Sequence, residues 1–243
     1  GGRLLADGGG DWWIWGKVGE DGLVNQDRNY AIGCDIGEGR GGSNSVAVVY
    51  DRETGEQVGE YATAYTIPHE FMETVCAAGK TVFAGQLGQA FLAWECNGPG
   101  ESVYVDVLRS GYDYVYFQRA VGKRGDGRGP NYGWRSTRTN KRVLLTTFQT
   151  QLARGGIVLR SKPLMDEMLQ YVGYDEGSIG PGTLRDEMTG ARDAHGDRVI
   201  AAAVGRLALA EAPKFEPKKI VVKPGSMADL LGHAKVWANS GSR

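Results

Sequence analysis

Three runs of small, aromatic and β-branched residues lie close together early in the chain: 30–36, Ser45 to Tyr50, and Gln57 to Ala64. Between them stand a glycine-rich stretch, Gly37-Glu38-Gly39-Arg40-Gly41-Gly42, and the turn Asp51-Arg52-Glu53-Thr54-Gly55. Runs of this composition bounded by Gly, Asn and Asp read as strands, and such short connections make neighbouring strands antiparallel. The spacing therefore predicts a three-stranded meander. The pattern then changes. Pro68 opens an amphipathic helix with Phe71, Val75 and Ala78 near one face, and a strand follows at 91–95. A helix at about 100–110 and a short strand from Tyr114 to Phe117 complete an order βββαβαβ.

Residues 1–28, rich in Gly and Asp, read as a linker, with Trp12-Trp13-Ile14-Trp15 as an apolar latch on it. A basic, glycine-containing loop occupies 119–142. Val143-Leu144-Leu145, Phe148 and Leu152 then form a stripe of period 3.6 that predicts a helix ending at Gly155-Gly156. A strand from Ile157 to Leu159, a short helix from Pro163 to Tyr171, a loop over 173–193 and a buried helix from 197 to about 211 follow. From Pro213 onward Lys and Pro, then Gly and Ser, have the composition of a tail. The expected organisation is a linker over 1–28, one α/β domain over 29–212 and a tail over 213–243. A hydrophobic content of 41% in 243 residues suffices for one sizeable core. Cys34, Cys76 and Cys96 are odd in number and form no Cys-x-x-Cys pair, which disfavours a disulfide framework or a zinc site and fits a reducing cytosol. With no run of 18 apolar residues, and no apolar signal core in Gly1-Gly2-Arg3-Leu4-Leu5-Ala6, the expectation is a soluble intracellular protein.

Three acids stand where these elements begin or end. Asp35 closes Tyr30-Ala31-Ile32-Gly33-Cys34, and Glu95 closes Phe91-Leu92-Ala93-Trp94 ahead of Asn97-Gly98-Pro99-Gly100. Asp197 stands in His195-Gly196-Asp197-Arg198, just before Val199-Ile200-Ala201-Ala202-Ala203-Val204. Singly, each has an ordinary reading: a turn residue, a strand-end surface acid, a carboxylate favouring the first turn of a helix. Together, carboxylates from two strand ends and one helix start suit a pair of Mg²⁺ or Mn²⁺ ions, hard cations that prefer oxygen ligands. The chemistry expected of that set is phosphodiester hydrolysis, with Asp35 bridging two ions and Glu95 and Asp197 each holding one. His195 reads either as a group that orients water or protonates the leaving group, or as a surface-loop histidine. Asp193 reads as an additional ligand or as a solvated loop acid. Cys34 and Cys96 flank two of the acids, but strand alternation points them into the core.

Between Arg119 and Arg142 eight basic residues, Arg119, Lys123, Arg124, Arg128, Arg135, Arg138, Lys141 and Arg142, stand against one acid, Asp126. A flexible basic loop of this kind can follow a phosphate backbone without reading sequence, which makes Lys123, Arg124, Arg128, Arg135, Arg138, Lys141 and Arg142 candidates for contact with DNA. The formal net charge of −1 neither requires nor excludes such a partner. The alternative is a solvated charge run. Tyr132 and Trp134 read as anchors for the loop or as contacts to sugars.

Four motifs in order carry a family resemblance: Gly33-Cys34-Asp35-Ile36-Gly37, Glu95-Cys96-Asn97-Gly98-Pro99-Gly100, Tyr132-Gly133-Trp134-Arg135-Ser136-Thr137, and His195-Gly196-Asp197-Arg198-Val199-Ile200-Ala201-Ala202-Ala203. Over roughly 29–212 they resemble the nuclease domain of tailed-bacteriophage terminase large subunits, within the ribonuclease H-like superfamily. The resemblance implies an α/β fold with a mixed central sheet, three antiparallel strands then parallel ones, flanked by helices. It implies a two-metal endonuclease that uses Mg²⁺ or Mn²⁺ to cut concatemeric double-stranded viral DNA, at the capsid packaging vertex in the cytoplasm of the bacterial host. The implied partners are that DNA, an ATPase motor domain of the same full-length chain, the portal and the small terminase subunit, with no membrane. The family's late motif often has two adjacent Asp, whereas Gly196 fills the first of those positions here. Ala78-Gly79-Lys80-Thr81 looks like the end of a P-loop, but Thr74 stands where its first glycine belongs and the context is helical, so no motor motif is read. Three alternatives stay open: a catalytically degenerate DNA-binding or docking module, a Holliday-junction resolvase-like nuclease, and a sugar kinase or actin-like ATPase suggested by Gly33 to Gly37 but lacking a second phosphate loop.

Overall fold

The computed structural model describes residues 11–16, 18–118, 131–173, 179–181, 188–192 and 196–213. The main sheet has five strands: β1 (Trp12–Ile14), β2 (Tyr30–Asp35), β3 (Ser45–Asp51), β4 (Gln57–Thr63) and β5 (Phe91–Trp94). Their order is β1-β4-β3-β2-β5. The meander over β2, β3 and β4 is antiparallel as its turns require, and β5 joins β2 in parallel after the crossover helix α1 (Pro68–Lys80). The fold is thus the expected mixed α/β sheet flanked by helices. The chain divides into one compact unit over Gly1–Ala212 and a second over Pro213–Arg243, of which only Pro213 is described.

Both sheet faces are covered, which is why β2 and β3 read as nearly continuous apolar runs. On one face Ile32, Cys34, Ala47, Val49 and Trp94 pack with Phe71, Met72 and Val75 of α1 and with Val107 of α2 (Tyr104–Arg109). On the other, Ala31, Val46, Val48 and Ala93 meet α3 (Arg138–Ala153), α4 (Lys162–Met168) and α5 (Asp197–Glu211). Every residue of α5 from Asp197 to Gly205 is buried. Val199, Ile200 and Val204 contribute on the order of 1.5–3 kcal/mol each relative to exposure. Helix α5 lies so close to β2 that a Cβ at Gly33 would overlap the backbone of Gly205 and the carbonyl oxygen of Ala201. This seat fixes the start of α5 relative to the end of β2.

Several local expectations change. Trp12 to Ile14, read as part of a linker, form an edge strand on β4, where Trp12 stacks on Tyr61 with ring centroids 5.4 Å apart. The helix expected over 100–110 is split into a 3₁₀ turn, Gly98–Glu101, and α2. The strand expected near 114–117 runs along β5 through Leu92 N–H to Tyr114 O (3.0 Å) and Tyr116 N–H to Leu92 O (2.8 Å). It continues as β6 (Phe117–Gln118), paired with β7 (Asn131–Tyr132). The strand expected at 157–159 is a single bridge between Glu56 and Val158, because the next amides, of Arg160 and Ser161, donate to the Gln57 side chain instead. The basic loop ends early, since Thr137 and Asn140 form a capping box that starts α3 at Arg138. Within the expected loop over 173–193 lies part of a small hairpin, β8 (Tyr171–Gly173) with β9 (Ile179–Pro181).

Candidate active site

Asp35 ends β2, and the parallel register pairs Cys34 with Trp94, so Glu95 follows directly beside Asp35. The Glu95 amide donates to Cys34 O at 2.9 Å, which sets that register. Cys34 and Trp94 belong to the core on the α1 side, so strand alternation turns Asp35 and Glu95 to the opposite face, where α5 lies. Asp197 is the first residue of α5 and only 6% exposed. Its Oδ2 accepts the Asn44 amide at 2.6 Å, tying it to the end of the glycine-rich loop that begins after Asp35.

Asp35 feels the charges of both Glu95 and Asp197, and Glu95 that of Asp197. Asp35 is held well above the usual carboxylate range, first by burial and then by the negative charges of Glu95 and Asp197; Lys141 and the Ile36 amide oppose this. Glu95 is also raised, chiefly by burial and further by Asp197, against the pull of Lys141 and of a hydrogen bond from Ser136. Among the described residues, however, no group of three or more His, Cys, Asp or Glu is drawn close enough to grip a metal ion as placed.

A second wall reaches the site through β5. Trp134 N–H donates to Trp94 O at 2.7 Å and Cys96 N–H to Trp134 O at 2.9 Å, so this segment adds to the edge of the sheet. Trp134 is 4% exposed and Tyr132 stacks on Tyr104 at 4.2 Å, so both anchor the segment. The Asn97 side chain then clasps Ser136, accepting its amide at 2.7 Å and donating to its carbonyl at 3.0 Å. One turn into α3, Lys141 bears on both Asp35 and Glu95. Lys141, expected among the DNA contacts, is also a cation that these two carboxylates feel. Arg135, Arg138 and Arg142 are exposed nearby, Arg135 paired with Glu101 at 3.0 Å. His195, Asp193, Lys123, Arg124 and Arg128 lie outside the described residues.

Sequence reasoning missed Asn44, Ser136 and Tyr171. Ser136 stands one residue before a visible capping box and so was within reach; Asn44 has no local signal. Tyr171 donates to Gly196 O at 3.2 Å, and its phenol is pushed far above its ordinary range by burial first, then by Glu167, Asp35, Asp197 and Glu95. Gly196 has φ 83°, and a Cβ there would overlap the Tyr171 ring. Glycine is therefore a packing requirement at this position. Ala78 to Lys80 are the end of α1, where Lys80 Nζ donates to Ser110 O.

No protein-family model matches the sequence, and no curated protein matches it. Solved structures do. The large terminase nuclease of the thermophilic phage G20c with bound magnesium aligns at 16% identity over 86% of this chain and 91% of its own, with a TM-score of 0.57. The same nuclease with bound cobalt gives 15%, 86%, 91% and 0.58, respectively. The large terminase nuclease domain of Thermus phage P74-26 gives 14% identity over 88% and 93%, with a TM-score of 0.58. At these identities the likeness is one of fold, and the fold of this chain, a mixed sheet between helices, is the one seen in these phage large-terminase nucleases.

Proposed function

We propose that this protein is a metal-dependent endonuclease that hydrolyses phosphodiester bonds of double-stranded DNA, cutting concatemeric viral DNA during genome packaging. The observation that carries this reading is that Asp35 and Glu95 end the neighbouring strands β2 and β5 on the side where Asp197 opens α5, with burial and the charges of Glu95 and Asp197 opposing the ionisation of Asp35. A donor set made only of carboxylate oxygens fits a hard divalent cation, and cationic charge would relieve that repulsion. Asp35, Glu95 and Asp197 would hold Mg²⁺ or Mn²⁺, in keeping with the magnesium and cobalt carried by the similar terminase nucleases. Bound there, such ions would acidify the attacking water and offset charge on the leaving 3′ oxygen.

The chain's own residues prepare this. Lys141 and the Ile36 amide favour the ionised Asp35, Ser136 bonds Glu95, and the Asn44 amide orients Asp197. Arg135, Arg138 and Arg142 offer phosphate contacts beside the carboxylates, and Lys123, Arg124 and Arg128 extend the same basic stretch in sequence. Phosphate contacts carry no base information, so cutting is expected to show little sequence preference. The setting proposed is a packaging motor, with an ATPase domain, a portal and a small terminase subunit as partners. Among the described residues no helix is long and apolar enough to cross a membrane.

The test is plasmid cleavage with Mn²⁺, Mg²⁺ or EDTA, beside folded Asp35→Ala, Glu95→Ala and Asp197→Ala proteins. Cutting that needs the metal and is abolished by each substitution supports the reading. An inert wild type that still binds DNA would instead make the chain a docking module.

A further inference from the structure

We propose that Tyr171 is a positioning residue for Asp197, holding the start of α5 so that the Asp197 carboxylate faces Asp35 and Glu95; this rests on the nuclease reading above. Helix α5 begins without help from its own cap. Gly196 has no side chain to accept from the first free amides, and its φ of 83° departs from the extended backbone of an ordinary N-cap. The missing contacts come from the segment formed by α4 and β8. Glu167 Oε1 accepts the Val199 amide at 3.0 Å, doing for the third residue of α5 what a cap side chain would do. Four residues later Tyr171 covers Gly196 with its ring and donates its hydroxyl to Gly196 O at 3.2 Å. Arg198 is pinned beneath by Glu60 at 3.0 Å and Glu167 at 3.8 Å.

The carbonyl that Tyr171 holds, together with the Ile200 amide at 3.0 Å, is the one that joins Gly196 to Asp197. Its orientation sets the direction in which the Asp197 Cα–Cβ bond leaves the helix. Outer partners of ligating carboxylates act by fixing orientation, and their loss costs roughly 10–100-fold in metal affinity.

The experiment compares wild type, Tyr171→Phe and Gly196→Ala by calorimetric Mn²⁺ titration, thermal melting without metal, and plasmid cleavage across Mn²⁺ concentrations. Tyr171→Phe keeps the ring and removes the bond to Gly196 O; Gly196→Ala displaces the ring from the other side. The expected result is about 10-fold or more weaker Mn²⁺ binding in both. The Mn²⁺ needed for half-maximal cutting should rise in proportion, while cleavage by Tyr171→Phe at saturating Mn²⁺ stays near wild type. Wild-type Mn²⁺ affinity in either folded variant, with any loss confined to melting temperature, would reduce Tyr171 to a packing residue and overturn the proposal. A wild type that neither binds Mn²⁺ nor cuts DNA would overturn the nuclease reading and this proposal with it. A wild type that does both beside an indifferent Tyr171→Phe overturns this proposal alone.

Discussion

Two charge clusters, one buried and one half-buried, meet at the start of α5, one residue apart in sequence. Arg198 belongs to the first, between Glu60 at 3.0 Å and Glu167 at 3.8 Å, all three side chains at most 8% exposed. Its remaining polar atoms are largely spoken for: Gln57 donates to Glu60 at 3.1 Å, and Glu167 takes the Val199 amide. Asp197 belongs to the second, with Asp35 and Glu95, where all three acids carry the same sign and Lys141 is a cation that opposes them. The first cluster is the better compensated, with one cation held between two acids; the second sets one cation against three acids, an excess that a bound divalent cation would offset. Buried ion networks often add little net stability, but they fix geometry, and here the fixed element is the helix end that presents Asp197.

Breaking the better compensated cluster should have the largest effect. Arg198→Met leaves Glu60 and Glu167 buried without their cation, and the expected cost is about 3–5 kcal/mol. Urea unfolding at neutral pH measures it. A cost under about 1 kcal/mol, the scale of an exposed pair, would mean that the network is not closed to water and would dissolve the contrast. Next in size is Gly33→Ala, which pushes a methyl into the backbone of Gly205 and Ala201. Overpacking of this kind costs about 1–3 kcal/mol. Because Gly33 sits between the scaffold and the site, the variant should also lose cleavage at temperatures where it remains folded. Retained cleavage would show that the spacing of β2 and α5 tolerates more than the packing suggests.

The difference between the clusters also explains what was legible beforehand. Asp35, Glu95 and Asp197 each close or open an element with a strong local pattern, so their positions and the antiparallel meander follow from periodicity and turn residues. Glu60, Glu167 and Arg198 are joined by contacts across 138 residues and more than one element, and nothing local distinguishes them from solvated charges. The same holds for Tyr171, which reads as the last residue of a short helix until the strand β8 and the bare Gly196 bring it over the site. The helix start at Arg138 was available in Thr137 and Asn140, but the density of Arg and Lys around it suggested a loop. Local chemistry marked the ligand candidates; their supports are tertiary and left no mark.

Asp35→Asn should act on the less compensated cluster with the smallest effect and the opposite sign. Removing one of three like charges from a poorly solvated cleft relieves repulsion, so the variant should be more stable than wild type by about 0.5–2 kcal/mol while losing cleavage, the usual trade at a functional site. The pH dependence separates this from a packing effect. Burial and the neighbouring acids raise the folded Asp35 carboxyl above its unfolded value. A carboxyl raised in this way contributes fully below the unfolded value near ~3.9, and its contribution is lost as pH rises through the folded one. In EDTA the two proteins should therefore melt alike below about pH 4, where Asp35 is a neutral acid and resembles Asn, and diverge in favour of Asp35→Asn as pH rises. Mn²⁺ should close the gap by stabilising wild type, since a cation binds three carboxylates more tightly than the two that Asp35→Asn leaves. A gap that is independent of pH would assign the gain to packing and remove the electrostatic half of the contrast.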